Sequence, residues 1–168
     1  MLFLIRDLQN TWLNIKTEIV RWSLKRASDD WLEAFAYYVR SQLIKKPFWF
    51  RGHLFFARYG REKKDLQFAY ASALALERLA RTAHQRFLAK LELANTHLAC
   101  GNFEQALSIF RSIFERKRAN FEVLCGQALA LFGLTKYKEA RETLELIPKE
   151  KRVPEVSLLL DSINAKLL

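Results

Sequence analysis

Apolar side chains recur every three or four residues along most of this chain, a spacing that predicts α-helices. The clearest example opens the sequence, where polar residues such as Arg6, Asn10 and Glu18 occupy the opposite side of the helix. Its apolar residues alternate steps of four and three: Met1, Ile5, Leu8, Trp12, Ile15, Ile19 and Trp22. Residues 1–27 are therefore predicted to form one strongly amphipathic helix with a heptad seam.

Three interpretations of this seam remain open. The helix packs as the first layer of the remaining fold, it docks on another protein or on its own copy, or it lies on an anionic membrane surface. Acidic Asp7 and Glu18 weaken the membrane interpretation. If the helix docks on a protein, the contact face consists of Ile5, Leu8, Trp12, Ile15, Ile19 and Trp22.

A second helix is predicted over about 30–46. Ser28-Asp29-Asp30 supplies residues that cap a helix N terminus, and Lys46-Pro47 stops the helix because proline disfavours helical geometry in the residue before it. We therefore assign residues 1–47 to an N-terminal region of amphipathic, basic helices. The remaining 48–168 form a separate region with a different pattern.

That second region contains a pattern that recurs after 34 residues. The matching pairs are Ala94 with Ala128, Phe103 with Tyr137, Ala106 with Ala140 and Phe110 with Leu144. Alanines in successive helices allow two backbones to approach closely, and the aromatic residues fill the space between helices. Gly101-Asn102 turns the chain between the two helices. Each unit is thus an antiparallel helix pair.

The order Leu93-Ala94, Gly101-x-Phe103-x-x-Ala106 and Phe110 resembles the tetratricopeptide repeat. A weaker copy has Ala57 and Ala69 at the same separation of 12, but no Gly-aromatic turn precedes Ala69. The assigned ranges are a weak repeat at 50–86, repeats at 87–120 and 121–154, and a capping helix at 154–168.

The resemblance implies an all-α fold in which antiparallel helix pairs stack as a short right-handed solenoid, with extra N-terminal helices and a C-terminal capping helix. It also implies a concave groove, lined by the first helix of each pair, that holds a partner protein. The groove residues would be Leu54, Arg58, Arg61, Leu91, Asn95, Leu98, Cys125, Leu129 and Phe132. A helix or peptide with acidic and apolar character fits a groove that is basic at one end and apolar at the other.

Some members of this family bind the C-terminal carboxylate of chaperone tails through Lys, Arg and Asn of their first helices. Only Asn95 matches that arrangement here. Glu92, Glu122 and Gly126 stand where an amide or a cation is needed, which disfavours a chaperone-tail role.

Charge adds an alternative function. The net charge is +10, and the first 64 residues carry 13 Lys and Arg against 6 Asp and Glu. The stretch Lys45–Lys64 also interleaves aromatic and basic residues, which is typical of packing with a solvated charged side or, less often, of a nucleic-acid platform. The alternative is therefore a membrane-peripheral or nucleic-acid-contacting assembly factor that acts through this basic region.

The residue types that usually carry catalysis do not occur here at the spacings typical of an active site or a metal site. His53, His84 and His97 have no metal-ligand pattern with each other or with Cys100 and Cys125, which are predicted to be free thiols. No phosphate-binding loop or nucleophile motif is present. We predict a non-catalytic adaptor or scaffold subunit that needs no metal or cofactor. Neither a secretory signal nor a membrane-spanning run is found, so a reducing, cytoplasmic location is expected.

Overall fold

The computed structural model of the chain describes residues 29–114 and 120–167. The predicted N-terminal docking face (Ile5, Leu8, Trp12, Ile15, Ile19 and Trp22) lies outside these ranges. All regular structure within them is helical, which confirms the all-α prediction. The elements are α1 (Asp29–Lys45), α2 (Phe50–Glu62), α3 (Leu66–Leu79), α4 (Ala83–Ala99), α5 (Phe103–Phe114), α6 (Phe121–Gly133), α7 (Tyr137–Glu145), a 3-10 turn (Lys149–Lys151) and α8 (Pro154–Leu167).

The chain divides into two compact units, Met1–Pro47 and Phe48–Leu168. In the first unit, helix α1 buries Leu32, Ala36 and Val39, whose spacing of four and three places them on one side of the helix. Tyr37 and Ile44 on α1 are 78% and 80% exposed.

The second unit consists of three helix pairs, α2–α3, α4–α5 and α6–α7, followed by α8. Each helix packs on the next one along the chain, and α4 also contacts both α2 and α6. Helix α8 packs on α7 and buries Val156 and Ile163, so it closes the array as the predicted cap. This arrangement is the stacking of a tetratricopeptide-like solenoid, as predicted.

The close approach within each pair depends on small residues. Ala57 and Ala69, Ala94 and Ala106, and Ala128 and Ala140 are all completely buried. In the first pair, Gly60 brings α2 and α3 closer still, because a Cβ atom at this position would lie 2.9 Å from the backbone nitrogen of Ala69. The weak repeat therefore has the tight crossing that its alanine spacing predicted.

The turn within each pair has the same geometry in all three repeats. Lys64, Gly101 and Thr135 stand seven residues after the small residue of the first helix, and each adopts a positive φ, of 60°, 76° and 60° respectively. The backbone N–H of each residue donates to the carbonyl three residues earlier, over 3.2, 3.1 and 3.0 Å. The weak repeat therefore makes the same turn without a glycine, with Lys64 in a conformation that costs a non-glycine residue about 1 kcal/mol.

Local signals set where helix α4 begins. Thr82 Oγ1 accepts a hydrogen bond from the backbone N–H of Gln85 over 3.1 Å, and Gln85 Oε1 accepts one from the backbone N–H of Thr82 over 3.2 Å. This reciprocal capping box satisfies two donors at the helix N terminus. It fixes the start of the helix that carries the middle of the candidate site.

Candidate functional site

The first helices α2, α4 and α6 present equivalent positions along one surface. Arg58, Asn95 and Leu129 each follow the completely buried alanine of their helix, and three further residues stand one turn later. Because α2 contacts α4 and α4 contacts α6, these positions form two rows across the array. We name this surface the first-helix face, and define it by Arg58, Arg61, Asn95, Leu98, Leu129 and Phe132.

The α6 end of the first-helix face is apolar. Leu129 is 40% exposed, although its neighbours Ala128 and Ala130 are completely buried. Phe132 is half-buried, and its ring packs edge-on against Tyr137 with 5.4 Å between the ring centroids. An exposed leucine beside a half-buried aromatic ring gives this end an apolar surface.

Cys125 lies one turn before Leu129 and is half-buried. Burial, and secondarily the charge of Glu122, raises the pKa of the Cys125 thiol to about 11. The thiol is therefore protonated at neutral pH and acts as a small apolar side chain rather than as a nucleophile.

The middle of the first-helix face exposes fewer side chains than the repeat register predicts. Leu98 and Asn95 are half-buried on α4, and Leu98 packs against the core. Leu91, one turn earlier, has no exposed surface and lies inside that core. In this structure its side chain stabilises the array and has no surface to offer a partner. Leu54, at the matching position of α2, is half-buried against the core between the first two repeats.

The α2 end carries an ion-pair network that joins two repeats. Arg58 Nε donates to Glu92 Oε1 over 2.5 Å, and Arg61 Nη2 donates to Glu92 Oε2 over 2.6 Å. The same Arg61 reaches Thr96 Oγ1 over 3.3 Å, and that hydroxyl donates to the Glu92 carbonyl over 2.8 Å. Arg58 and Arg61 of α2 are thereby tied to α4.

The Glu92 side chain is 1% exposed. A carboxylate removed from water in this way needs charged or hydrogen-bonding partners, and the two guanidinium groups provide them. The three side chains carry two positive charges and one negative charge, so the α2 end keeps one net positive charge.

The repeat register predicts Arg58 and Arg61 as groove residues but does not indicate their partner. In the sequence, Glu92 stands out only as a mismatch to the chaperone-tail arrangement. Repeat register does not indicate this pair, because it matches Arg58 with Asn95, and Glu92 lies one turn before Asn95.

His97 of α4 has a packing role in this structure. The ring of His97 packs edge-on against Tyr70 of α3, with 5.4 Å between the ring centroids. Burial lowers the pKa of His97 below its usual value, which favours the neutral ring. Among the described residues, no group of three or more His, Cys, Asp or Glu side chains could hold a metal ion.

An open cleft lies between α7 and α8. It is lined by Arg141, Glu145, Arg152, Asp161 and Asn164, with Ser157 and Leu160. Arg141 pairs with Glu145 over 3.6 Å, and Arg152 Nε donates to the Ile147 carbonyl over 2.9 Å. The cleft balances two guanidinium groups with two carboxylates and contains none of the predicted groove residues.

None of the helices in the described part of the chain combines the length and the hydropathy that a membrane span requires.

Comparison with known families gives a match to part of the chain. The family model for the tetratricopeptide repeat matches residues 97–163, from the last turn of α4 into α8. The range covers less than half of the chain and contains the complete pair α6–α7. Comparisons with curated proteins and with solved structures gave no match. The resemblance recognised from the 34-residue spacing is confirmed over the matched range.

Proposed function

We propose that this tetratricopeptide repeat protein is a non-catalytic adaptor, a subunit of a larger complex that binds a helix or extended segment of a partner on its first-helix face. Repeats of this family generally mediate protein–protein interaction and are typically non-catalytic. The finer proposal concerns which surface binds and what it binds.

One observation carries the proposal: apolar and basic ends occur on a single face. Leu129 is 40% exposed at the α6 end, whereas the Arg58 side chain is 36% exposed at the α2 end. An exposed leucine between buried Ala128 and Ala130 supports a partner contact, because covering it removes apolar surface from water. The positive end favours a partner with acidic residues at one end and apolar residues at the other.

The distance between the two ends limits the partner segment. Packed helices lie about 8–10 Å apart, so two steps from α2 to α6 span about 20 Å. A helical partner covers that distance with about 13 residues, since each residue rises 1.5 Å. An extended segment covers it with about six residues. The acidic and apolar anchors of a helical partner should therefore be separated by roughly three to four turns.

The test is to compare partner recovery between two leucine variants. Leu129→Glu places a charge on the first-helix face, whereas Leu158→Glu places one at a leucine of α8 that is 66% exposed and lies outside it. Affinity purification with identification by mass spectrometry should show partners that the wild type and Leu158→Glu retain and Leu129→Glu loses. Equal recovery of the same partners by both variants contradicts the proposal, and circular dichroism checks that helicity is unchanged.

A second candidate function rests on helix α1. Exposed Tyr37, Tyr38 and Ile44 share this helix with the exposed bases Arg40 and Lys45. Apolar and aromatic side chains beside cations are typical of a surface that contacts an anionic membrane. This second proposal assigns the basic N-terminal region to membrane contact, with RNA as the competing ligand.

Vesicle flotation of the full chain at increasing salt tests it, with phosphatidylserine vesicles, neutral phosphatidylcholine vesicles and a single-stranded RNA as probes. Membrane contact predicts flotation with the anionic vesicles that weakens steeply with salt and is reduced in Tyr37→Ser/Ile44→Ser. Binding to RNA alone assigns the region to nucleic acid, and no salt-dependent binding to any probe removes the second candidate.

A further inference from the structure

We propose that Arg58 alone is the cation with which the first-helix face binds an acidic side chain of a partner, and that Glu92 is a positioning residue for it. This inference rests on the proposed function. It assigns different roles to Arg58 and Arg61, which the sequence does not distinguish. It also gives the buried carboxylate of Glu92 a role in recognising the carboxylate of a partner.

Arg61 makes three hydrogen bonds through its two terminal nitrogens and is largely buried. Its Nη2 donates to Glu92 Oε2 over 2.6 Å, and its Nη1 donates to the Ala57 carbonyl over 3.2 Å and to Thr96 Oγ1 over 3.3 Å. Its side chain is 18% exposed. Both terminal nitrogens are therefore committed to holding α2 against α4, and Arg61 serves the joint between repeats.

Arg58 is bound through its inner edge only. Its Nε donates to Glu92 Oε1 over 2.5 Å, and neither Nη atom makes a hydrogen bond to another described residue. These two nitrogens carry four N–H donors, and the side chain is 36% exposed. A guanidinium anchored by Nε, with both Nη groups available, presents the flat fork that matches a carboxylate.

Glu92 sets the direction of that fork. The carboxylate is buried and is itself fixed by Arg61, so it holds the Arg58 guanidinium in one orientation before any partner arrives. A preordered side chain loses less conformational entropy on binding than a free arginine does. Glu92 neutralises only one of the two positive charges, so a partner carboxylate still meets net positive charge.

This arrangement predicts an effect opposite to that of simple charge. Glu92→Gln removes a negative charge close to the site, and long-range electrostatics alone would then strengthen the binding of an acidic ligand. If Glu92 positions Arg58, the substitution instead weakens it, because the amide holds the guanidinium less firmly. We expect about a tenfold loss of affinity for an acidic peptide, the size of one charge-assisted hydrogen bond.

The experiment starts from a displayed library of randomised, helix-forming 16-residue peptides, selected on the full-length protein. Peptides displayed through their C termini have no free terminal carboxylate, so any acid preference comes from side chains. A selected peptide is then synthesised in an acidic form and in a form with Asp and Glu replaced by Asn and Gln. The ratio of the two affinities, measured by fluorescence anisotropy, is the readout.

Four variants test which residues produce the preference for the acidic peptide. Wild type and the charge-matched control Glu104→Gln, at an exposed residue of α5, should prefer the acidic peptide about tenfold, and Arg58→Gln and Glu92→Gln should lose that preference. Arg61→Gln should keep it even if its stability is lower. The ratio compares two peptides on one protein, so a general loss of stability does not change it.

The failures are distinguishable. A wild-type protein that selects apolar peptides without acid preference overturns the inference and leaves the proposed function intact. Selected peptides that bind Leu129→Glu as well as the wild type, or a library that yields no binder, contradict the proposed function itself. A stronger acid preference in Glu92→Gln assigns Glu92 a purely electrostatic effect and overturns its positioning role.

Discussion

The contact between one repeat and the next, here called a joint, occurs twice in the described part of this protein. One joint is ionic and the other is apolar. Glu92 in α4 and Gly126 in α6 are 34 residues apart and occupy the same position in their repeats. At the α2–α4 joint, this position carries a buried carboxylate between two arginines. At the other joint, it carries no side chain, and the buried ring of Phe110 lies against the bare backbone.

The two joints therefore depend on different properties of their side chains. The Gly126 joint depends on shape, because a Cβ atom at this glycine would lie 2.2 Å from Phe110 Cζ. The Glu92 joint depends on charge balance, because removing either sign leaves the other without its partner. An apolar joint gains from burial, whereas an ionic joint loses much of its Coulombic gain to desolvation.

The largest expected effect is at the apolar joint. Phe110→Ala removes a completely buried ring. We expect unfolding free energy to fall by about 4 kcal/mol, which is typical of a phenylalanine truncated in a core. Chemical denaturation followed by circular dichroism measures the change. A loss under about 1 kcal/mol would mean that the ring is not central to the joint.

The ionic joint should lose less from a comparable truncation. Glu92→Ala leaves two guanidinium groups without their carboxylate, but Arg58 and Arg61 still reach water, at 36% and 18% exposure. We expect a loss of about 3 kcal/mol, near the lower end of the range for breaking a buried ion pair. The same denaturation experiment checks it. An equal loss in Phe110→Ala and Glu92→Ala would remove the energetic contrast between the joints.

The third prediction concerns the stability change caused by one substitution, which should have opposite signs in two backgrounds. Gly126→Ala brings a methyl group into the Phe110 ring, and we expect a loss of about 2 kcal/mol even after the gain in helix propensity. In the Phe110→Ala background the clash is absent, and the same substitution should stabilise the protein by about 1 kcal/mol. A double-mutant cycle measures the coupling. Additive effects would show that the cost of a side chain at Gly126 does not come from the Phe110 ring.

The fold was predictable because its signals are local or repeat at a fixed distance. The pairs Ala94–Ala128 and Ala106–Ala140 reveal the repeat length, since close helix crossings need a small residue at the same place each time. The first turn gave no such signal. Lys64 adopts the left-handed conformation that Gly101 adopts in the next repeat, and its residue type does not indicate this.

The candidate site was predictable only in part. Repeat register identified the rows that contain Leu129 and Arg58, because register alone determines which positions of stacked helices are equivalent. It could not show that Leu91 is completely buried, since burial depends on how closely the neighbouring helices pack. It also missed the pairing with Glu92, which becomes visible only when α2 and α4 are known to lie side by side.

The smallest expected effect separates the two arginines within the ionic joint. Arg61→Gln removes a side chain with three hydrogen-bond partners. Among the described residues Arg58 hydrogen-bonds only to Glu92, and Arg58→Gln leaves that carboxylate paired with Arg61. We expect losses of about 1.5 kcal/mol for Arg61→Gln and about 0.5 kcal/mol for Arg58→Gln, because the more exposed pair is better screened by water. Denaturation in low and high salt measures both. If Arg58→Gln proved the more damaging change, Arg58 would be the structural arginine and Arg61 the one open to a partner.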